Sequence, residues 1–232
     1  VANYYTLVTC LPWLPEQMEK CTQLPLSRIA LNRRLTLLSP EDQQSLAIAE
    51  ALYHPSVTEV QPDRERVQQW QKQIAELPSS VLQELVTQRL EIQTLMAALR
   101  YRKRPNTSAE HFYGYGRLTE WIKNHWKEPL FALETQIDPL EQWGELFSSE
   151  HSGDLQSQLD RYFWQQLLAV ERSHHFTIET VVSFVLRWGI AERRLKSDAE
   201  TALADFHTLS DTLLHSSGIQ QQLNSLFEDM NR

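Results

Sequence analysis

The sequence is short of glycine, with 6 in 232 residues, and of cysteine, with 2. So few glycines, beside so much Leu, Gln, Glu, Arg and Ala, favour helices over tightly turned sheet. Cys10 and Cys21, eleven positions apart, form neither a metal knuckle nor a disulfide framework. Both are expected to be reduced thiols in a cytoplasmic protein. No stretch approaches the roughly 20 consecutive apolar residues of a membrane span. Val1–Leu11 has no basic leader and only a short apolar run, so no secretory signal is expected there. Positive charge is also scarce. A net charge of −8 argues against broad nucleic-acid binding, which needs an extended basic surface. What remains, 41% hydrophobic and 22% charged, is the composition of a soluble globular chain. Its length suits one large domain or two helical lobes sharing a core.

What the chain does contain is helical periodicity. Val81–Arg104 reads as one long helix, with Leu82, Leu85, Ile92, Met96 and Leu99 on one face. Ser79 and Ser80 can cap it and Pro105 closes it. Its last turn carries Arg100, Arg102, Lys103 and Arg104, the densest basic cluster in the chain, where cations complement the helix dipole. Asn3–Leu14 reads as a short strand or the start of a buried helix. Helices are expected over Ser27–Leu38 and from Pro40, behind a Ser39 cap, to Tyr53. Others are expected over Asp63–Leu77, Arg117–Lys127, Leu140–Phe147 and Asp154–Ser173. Thr177 caps Ile178–Lys196, with Phe176 as a hydrophobic staple. Asp198–Leu214 and Ile219–Met230 complete the set. Pro105–Tyr115 reads as an exposed loop joining two helical halves, residues 1–104 and 117–232.

Signatures of catalysis are few. Gly114-Tyr115-Gly116 is too short for a phosphate-cradling loop. There is no nucleophile elbow and no HExxH. Glu171 and His174 form a single ExxH, where a di-iron bundle needs two and further glutamates, so a helix-end ion pair is the better reading. His207, Asp211 and His215 share one helix flank, as metal ligands or as a solvated polar face. Phe112-Tyr113-Gly114-Tyr115 and the seven tryptophans could stack on nucleobases, but most of those tryptophans fall at core-facing positions. The chain is therefore expected not to be an enzyme, and to need no metal or cofactor.

Two helices share a pattern. At an offset of one hundred, Val81, Leu82, Leu85, Val86, Leu90 and Leu95 coincide with Val181, Val182, Val185, Leu186, Ile190 and Leu195. This is either an internal duplication or two core helices of one periodicity. Arg187, Arg193, Arg194 and Lys196 then form a second basic end. Two such ends pointing the same way would make one basic rim. Such a rim fits an acidic partner surface or anionic headgroups; it also fits dipole complementation and solubility alone.

Asn3–Leu14 (NYYTLVTCLPWL), Leu85–Lys103 (LVTQRLEIQTLMAALRYRK) and Leu159–Arg194 (LDRYFWQQLLAVERSHHFTIETVVSFVLRWGIAERR) together resemble a small bacterial family of unassigned function, whose genes accompany V-type ATPase genes. LEIQTLMAALRYRK and VLRWGIAERRLK more faintly resemble the repeated helix of the C-type component of archaeal-type rotary ATPases (the d-type component in eukaryotic V-ATPases). That helix carries an acid, apolar residues and a terminal basic cluster. Glu91, Ile92, Leu95, Leu99 and Arg100 stand in the first copy, and Glu192, Arg193 and Leu195 in the second. The resemblance implies an all-α, elongated or cup-shaped protein. It implies a non-catalytic peripheral subunit or assembly factor of a bacterial V-type ATPase, coupling the central stalk to the proteolipid ring and serving ion or proton transport. Its partners would be other ATPase subunits, and its place cytoplasmic, peripheral to the inner membrane through the complex. Arg100, Arg102, Lys103, Arg104, Arg187, Arg193, Arg194 and Lys196 would bind the partner. The reading of another class is a stand-alone helical adaptor that binds a soluble partner.

Overall fold

A computed structural model of the chain describes residues 4–53, 64–149 and 152–215. Among these residues the fold is all-α, with nine α-helices, three short 3-10 turns and no strand. The α-helices are α1 (Tyr4–Cys10), α2 (Arg28–Leu35), α3 (Pro40–Tyr53), α4 (Arg64–Ala75), α5 (Ser80–Arg102), α6 (Leu118–Asn124), α7 (Leu140–Ser148), α8 (Ser152–Ser173) and α9 (Ile178–His215). The expected Ile219–Met230 helix lies outside the described residues. Two compact units divide the chain, Val1–Ile190 and Ala191–Arg232.

The helix starts follow local chemistry. Ser27 Oγ accepts from Ala30 N, Ser39 Oγ from Asp42 N and Ser79 Oγ from Leu82 N, at 3.3, 3.1 and 3.3 Å. Each supplies an acceptor for a backbone N–H that the first turn leaves open. Asn3–Leu14, ambiguous in sequence, gives the helix α1. A short turn joins α4 to α5, and the two pack together.

In the larger unit α5 lies against α3, α4, α6 and α8. From Arg89 to Leu99 every residue except Gln93 is buried. The apolar stripe in the sequence marks only one side of a helix that neighbours cover all round.

The expected exposed loop at 105–115 is a correction. Phe112 and Tyr115 are buried. The loop docks on α5 through backbone donors: Tyr115 N donates to Thr94 Oγ1 at 2.9 Å, and Arg117 N to Glu91 Oε1 at 3.1 Å. Two glycines allow this approach. A Cβ on Gly114 would stand 2.2 Å from Thr94 Cγ2; on Gly116, whose φ is +80°, it would stand 2.6 Å from Glu91 Cγ. Aromatic side chains among the polar turn residues draw the loop inward.

A second correction concerns the C-terminal helices. The expected break at Ser197 is absent and α9 runs unbroken from Ile178 to His215. No Gly or Pro interrupts residues 190–215. Arg194 and Asp198 pair one turn apart at 3.5 Å across the expected break, and Lys196 pairs with Glu192 at 3.2 Å just before it. Phe176, expected as a staple, is instead exposed at a φ of 55°, with its ring centroid 4.9 Å from that of Tyr5.

The irregular run before α2 is strapped to α8 and α9 by side-chain donors. Trp164 Nε1 donates to Glu16 O at 2.9 Å, Arg187 Nη2 to Pro15 O at 2.6 Å and Trp188 Nε1 to Leu26 O at 3.1 Å. Arg161–Glu19 and Arg172–Glu16 add ion pairs at 2.6 and 2.5 Å.

The least ordinary backbone follows α6. Leu130, Phe131 and Ala132 have φ of 42°, 59° and 53°. For L-residues this left-handed region costs roughly 1–2 kcal/mol each. Packing holds the turn there. Phe131 is fully buried, and Trp121 Nε1 donates to its carbonyl at 2.9 Å. Gly144 of α7 makes room for Leu130: a Cβ there would stand 2.7 Å from Leu130 Cδ2. Ala132→Gly removes one Cβ from this region, at the cost of a more mobile unfolded chain. A net stabilisation of about 0.5–1 kcal/mol is expected in urea denaturation; a loss would show that the turn is not left-handed in solution.

Candidate functional site

The basic end of α5 is a built surface, not a loose fringe of charge. Arg102 Nη1 donates to Trp126 O at 3.0 Å and to Glu128 O at 2.7 Å. Its Cζ lies 4.3 Å from the centroid of the Phe131 ring. Lys103 Nζ donates to Phe147 O at 2.9 Å and lies 4.1 Å from the centroid of that residue's ring. Phe147 is in the last turn of α7, so Lys103 supplies a cation to that helix's negative end. These two cations tie the end of α5 to the left-handed turn and to α7. Arg100 and Arg104 are exposed.

None of Arg100, Arg102, Lys103 and Arg104 is paired with a carboxylate among the described residues, although ion pairs form elsewhere in the chain. Burial pushes the Arg102 guanidinium below its ordinary pKa. It nevertheless stays protonated at neutral pH.

Two clefts have Arg102 in their walls. One, of about 450 Å³, is lined by Arg102, Thr107, Trp126, Lys127, Glu128 and Pro129. The other, of about 160 Å³, adds Leu99, Leu130, Gly144 and Phe147 to Arg102 and Lys103. Of these residues only Arg102 and Lys103 stand out in the sequence. Trp126, Lys127, Leu130 and Phe147 come from segments whose approach to α5 no local pattern announces.

The other expected cations have different settings. Arg187 is not on an exposed basic end: it is 2% exposed and pairs with Glu171 Oε2 at 2.6 Å. Its Cζ lies 4.4 Å from the Trp164 ring centroid. The reason is its register, within the stretch Val181–Trp188 of α9 that is buried at every position. Arg193, Arg194 and Lys196 lie in the smaller unit, inside a continuing helix, so they do not form a helix end. The acids of the suspected repeat also differ in setting. Glu91 is buried and accepts from Arg117 N; Glu192 pairs with Lys196.

The ExxH residues do not converge. Glu171 faces Arg187, and His174 Nδ1 lies 3.2 Å from Val170 O. Of the flank His207, Asp211 and His215, the last two side chains lie outside the described residues. Trp143, Trp164 and Trp188 are buried, whereas Trp13 is exposed. Phe112 is buried, while Tyr113 is exposed with Arg64 Cζ and Lys123 Nζ 5.6 and 5.7 Å from its ring centroid. Among the described residues no helix is long and apolar enough to cross a membrane.

Neither the curated proteins nor the solved structures give a match to this chain. A family model described as "Protein of unknown function (DUF2764)" matches residues 63–217.

Proposed function

The chain belongs to that family, and from this premise we propose that it is a non-catalytic peripheral subunit or assembly factor of a bacterial V-type ATPase. In this reading it couples the central stalk to the proteolipid ring at the cytoplasmic face of the membrane. The structural observation that carries the proposal is the end of α5: four cations without a carboxylate partner among the described residues, in a chain of net charge −8. The sequence resemblance names the machine. Arg102 and Lys103 hold the surface in shape, and Arg100 and Arg104 offer charge to an acidic partner surface.

Affinity purification of the tagged chain from its native cell at low salt tests this. ATPase subunits are expected in the eluate, and capture is expected to fall at least tenfold at about 0.5 M salt, where screening shortens the reach of charge. The double variant R100E/R104E should lose capture to a similar extent, since both positions are exposed. An eluate without any ATPase subunit sinks the assignment. The second reading, a stand-alone helical adaptor, draws on exposed Trp13, Ile29 and Leu37. It predicts capture of a soluble protein that persists in R100E/R104E.

A further inference from the structure

Arg102 forms part of the wall of two neighbouring clefts of different character. In the larger it stands with Lys127, Trp126 and Thr107. The smaller is walled by Leu99, Leu130 and Phe147, with Leu130 seated against Gly144 and with Lys103 and Ser148 at its side. The guanidinium they share is fixed. Two carbonyls hold its Nη1, and the Phe131 ring packs against it. Its Nε and Nη2 have no protein acceptor among the described residues. It is half-buried and has no carboxylate partner among the described residues.

A cation withdrawn from water without a counter-ion gains from any carboxylate that reaches its free edge. That edge is already oriented, so a ligand loses little entropy in ordering it. The wall is also where the chain accepts three consecutive left-handed residues without glycine. Strain of this kind collects at binding sites. The exposed Glu128 lies on the same wall, leaving two cations, Arg102 and Lys127, against one acid.

We infer that the paired clefts bind a short segment of a partner protein in which an acidic residue adjoins an apolar one. The carboxylate meets Arg102 and Lys127 in the larger cleft, and the apolar side chain enters the smaller one. A free anion has no use for the apolar wall of Leu99, Leu130 and Phe147; that wall is what selects a peptide. The inference rests on reading the end of α5 as a partner surface, and it supplies the chemistry that surface recognises.

The test is an array of nonapeptides that places every dipeptide at the centre of a Gly/Ser frame, probed with the full chain. Spots pairing Asp or Glu with Leu, Ile, Val or Phe should outscore their Asn and Gln counterparts at least tenfold. Lys127→Glu, at an exposed position, should abolish that preference while leaving the thermal melting curve unchanged. Inorganic phosphate at 10 mM should not displace the best peptides. Equal scores for acid and amide, or an unchanged pattern in Lys127→Glu, overturn the inference. Displacement by phosphate would show a plain anion site and overturn it too. No ATPase subunit is present in this assay, so its failure leaves the ATPase assignment standing, and loss of ATPase capture leaves peptide recognition standing.

Discussion

Glu171→Leu is expected to destabilise the fold by about 3–5 kcal/mol, because it strands the Arg187 charge in the core. Arg187 is 2% exposed, and its 2.6 Å bond to Glu171 is its one carboxylate contact among the pairs formed. Even intact, the pair is incompletely satisfied: Glu171 Oε1 and Arg187 Nε are buried without a hydrogen bond. Burial pushes the Glu171 carboxyl above its ordinary value in spite of the guanidinium beside it, and burial likewise pushes Arg187 down. Desolvation therefore outweighs attraction for both partners. The double variant Glu171→Leu/Arg187→Met should recover more than half of the single-variant loss, since it leaves no orphaned charge. It forfeits the Pro15 tie and the packing on Trp164. Urea denaturation of the two single variants and the double closes the cycle.

The same pair gives a pH signature with a definite sign. The native-state pKa of Glu171 lies above the ordinary carboxylate value, so between the two the native state holds a proton that the unfolded chain has released. The contribution of this group to stability is then fully present below the unfolded value and is lost as pH rises through the native value. Glu171→Gln removes that dependence. The difference between wild-type and Glu171→Gln stability should therefore slope downward with rising pH across this window, and a flat difference would refute the assignment.

Phe131→Ala should cost about 3–5 kcal/mol, the range for truncating a fully buried aromatic side chain. Phe131 has no exposed surface, packs 5.6 Å from the Trp126 ring and supports Arg102 at 4.3 Å. Truncation also withdraws the main reason for the left-handed backbone, whose strain then favours release. Phe131→Leu, which keeps most of the apolar volume, should lose markedly less in the same denaturation experiment. Equal losses would mean that ring geometry, and not burial, holds the turn.

Most helix starts were legible because their cause is local. Ser39-Pro40 and Ser79 carry their own capping chemistry, and the structure uses it. The basic end of α5 was legible for the same reason. What surrounds it was not. Nothing in Pro129-Leu130-Phe131-Ala132 contains the glycine that normally announces a left-handed turn; tertiary burial of Phe131 imposes it. Residues 105–115 read as solvent loop because their composition is polar, yet the burial of Phe112 and Tyr115 and the close approach of Gly114 and the following Gly116 to Thr94 and Glu91 decide the outcome. Arg187 misled because charge in a sequence reads as surface, whereas helical register placed it inside. The run Ile190–Glu200 shows the converse error: a polar stretch without a breaker is still helix, with no end to expose.

The strap that closes over α8 and α9 also sets an order in time. Its anchoring bonds join residues 148, 162 and 172 positions apart in the chain. At synthesis rates of roughly 5–20 residues per second, the arginine that holds Pro15 is made about ten to thirty seconds after it. Until then this segment lacks its α9 anchors and can be held by those of α8, Trp164, Arg161 and Arg172. It must wait for α9 to be made as far as Trp188, and then close loops of 162 and 172 positions. Cys21, buried in the finished fold, passes that interval uncovered. Its thiol is thus a natural clock: the moment it stops reacting marks the docking of the strap on α8 and α9.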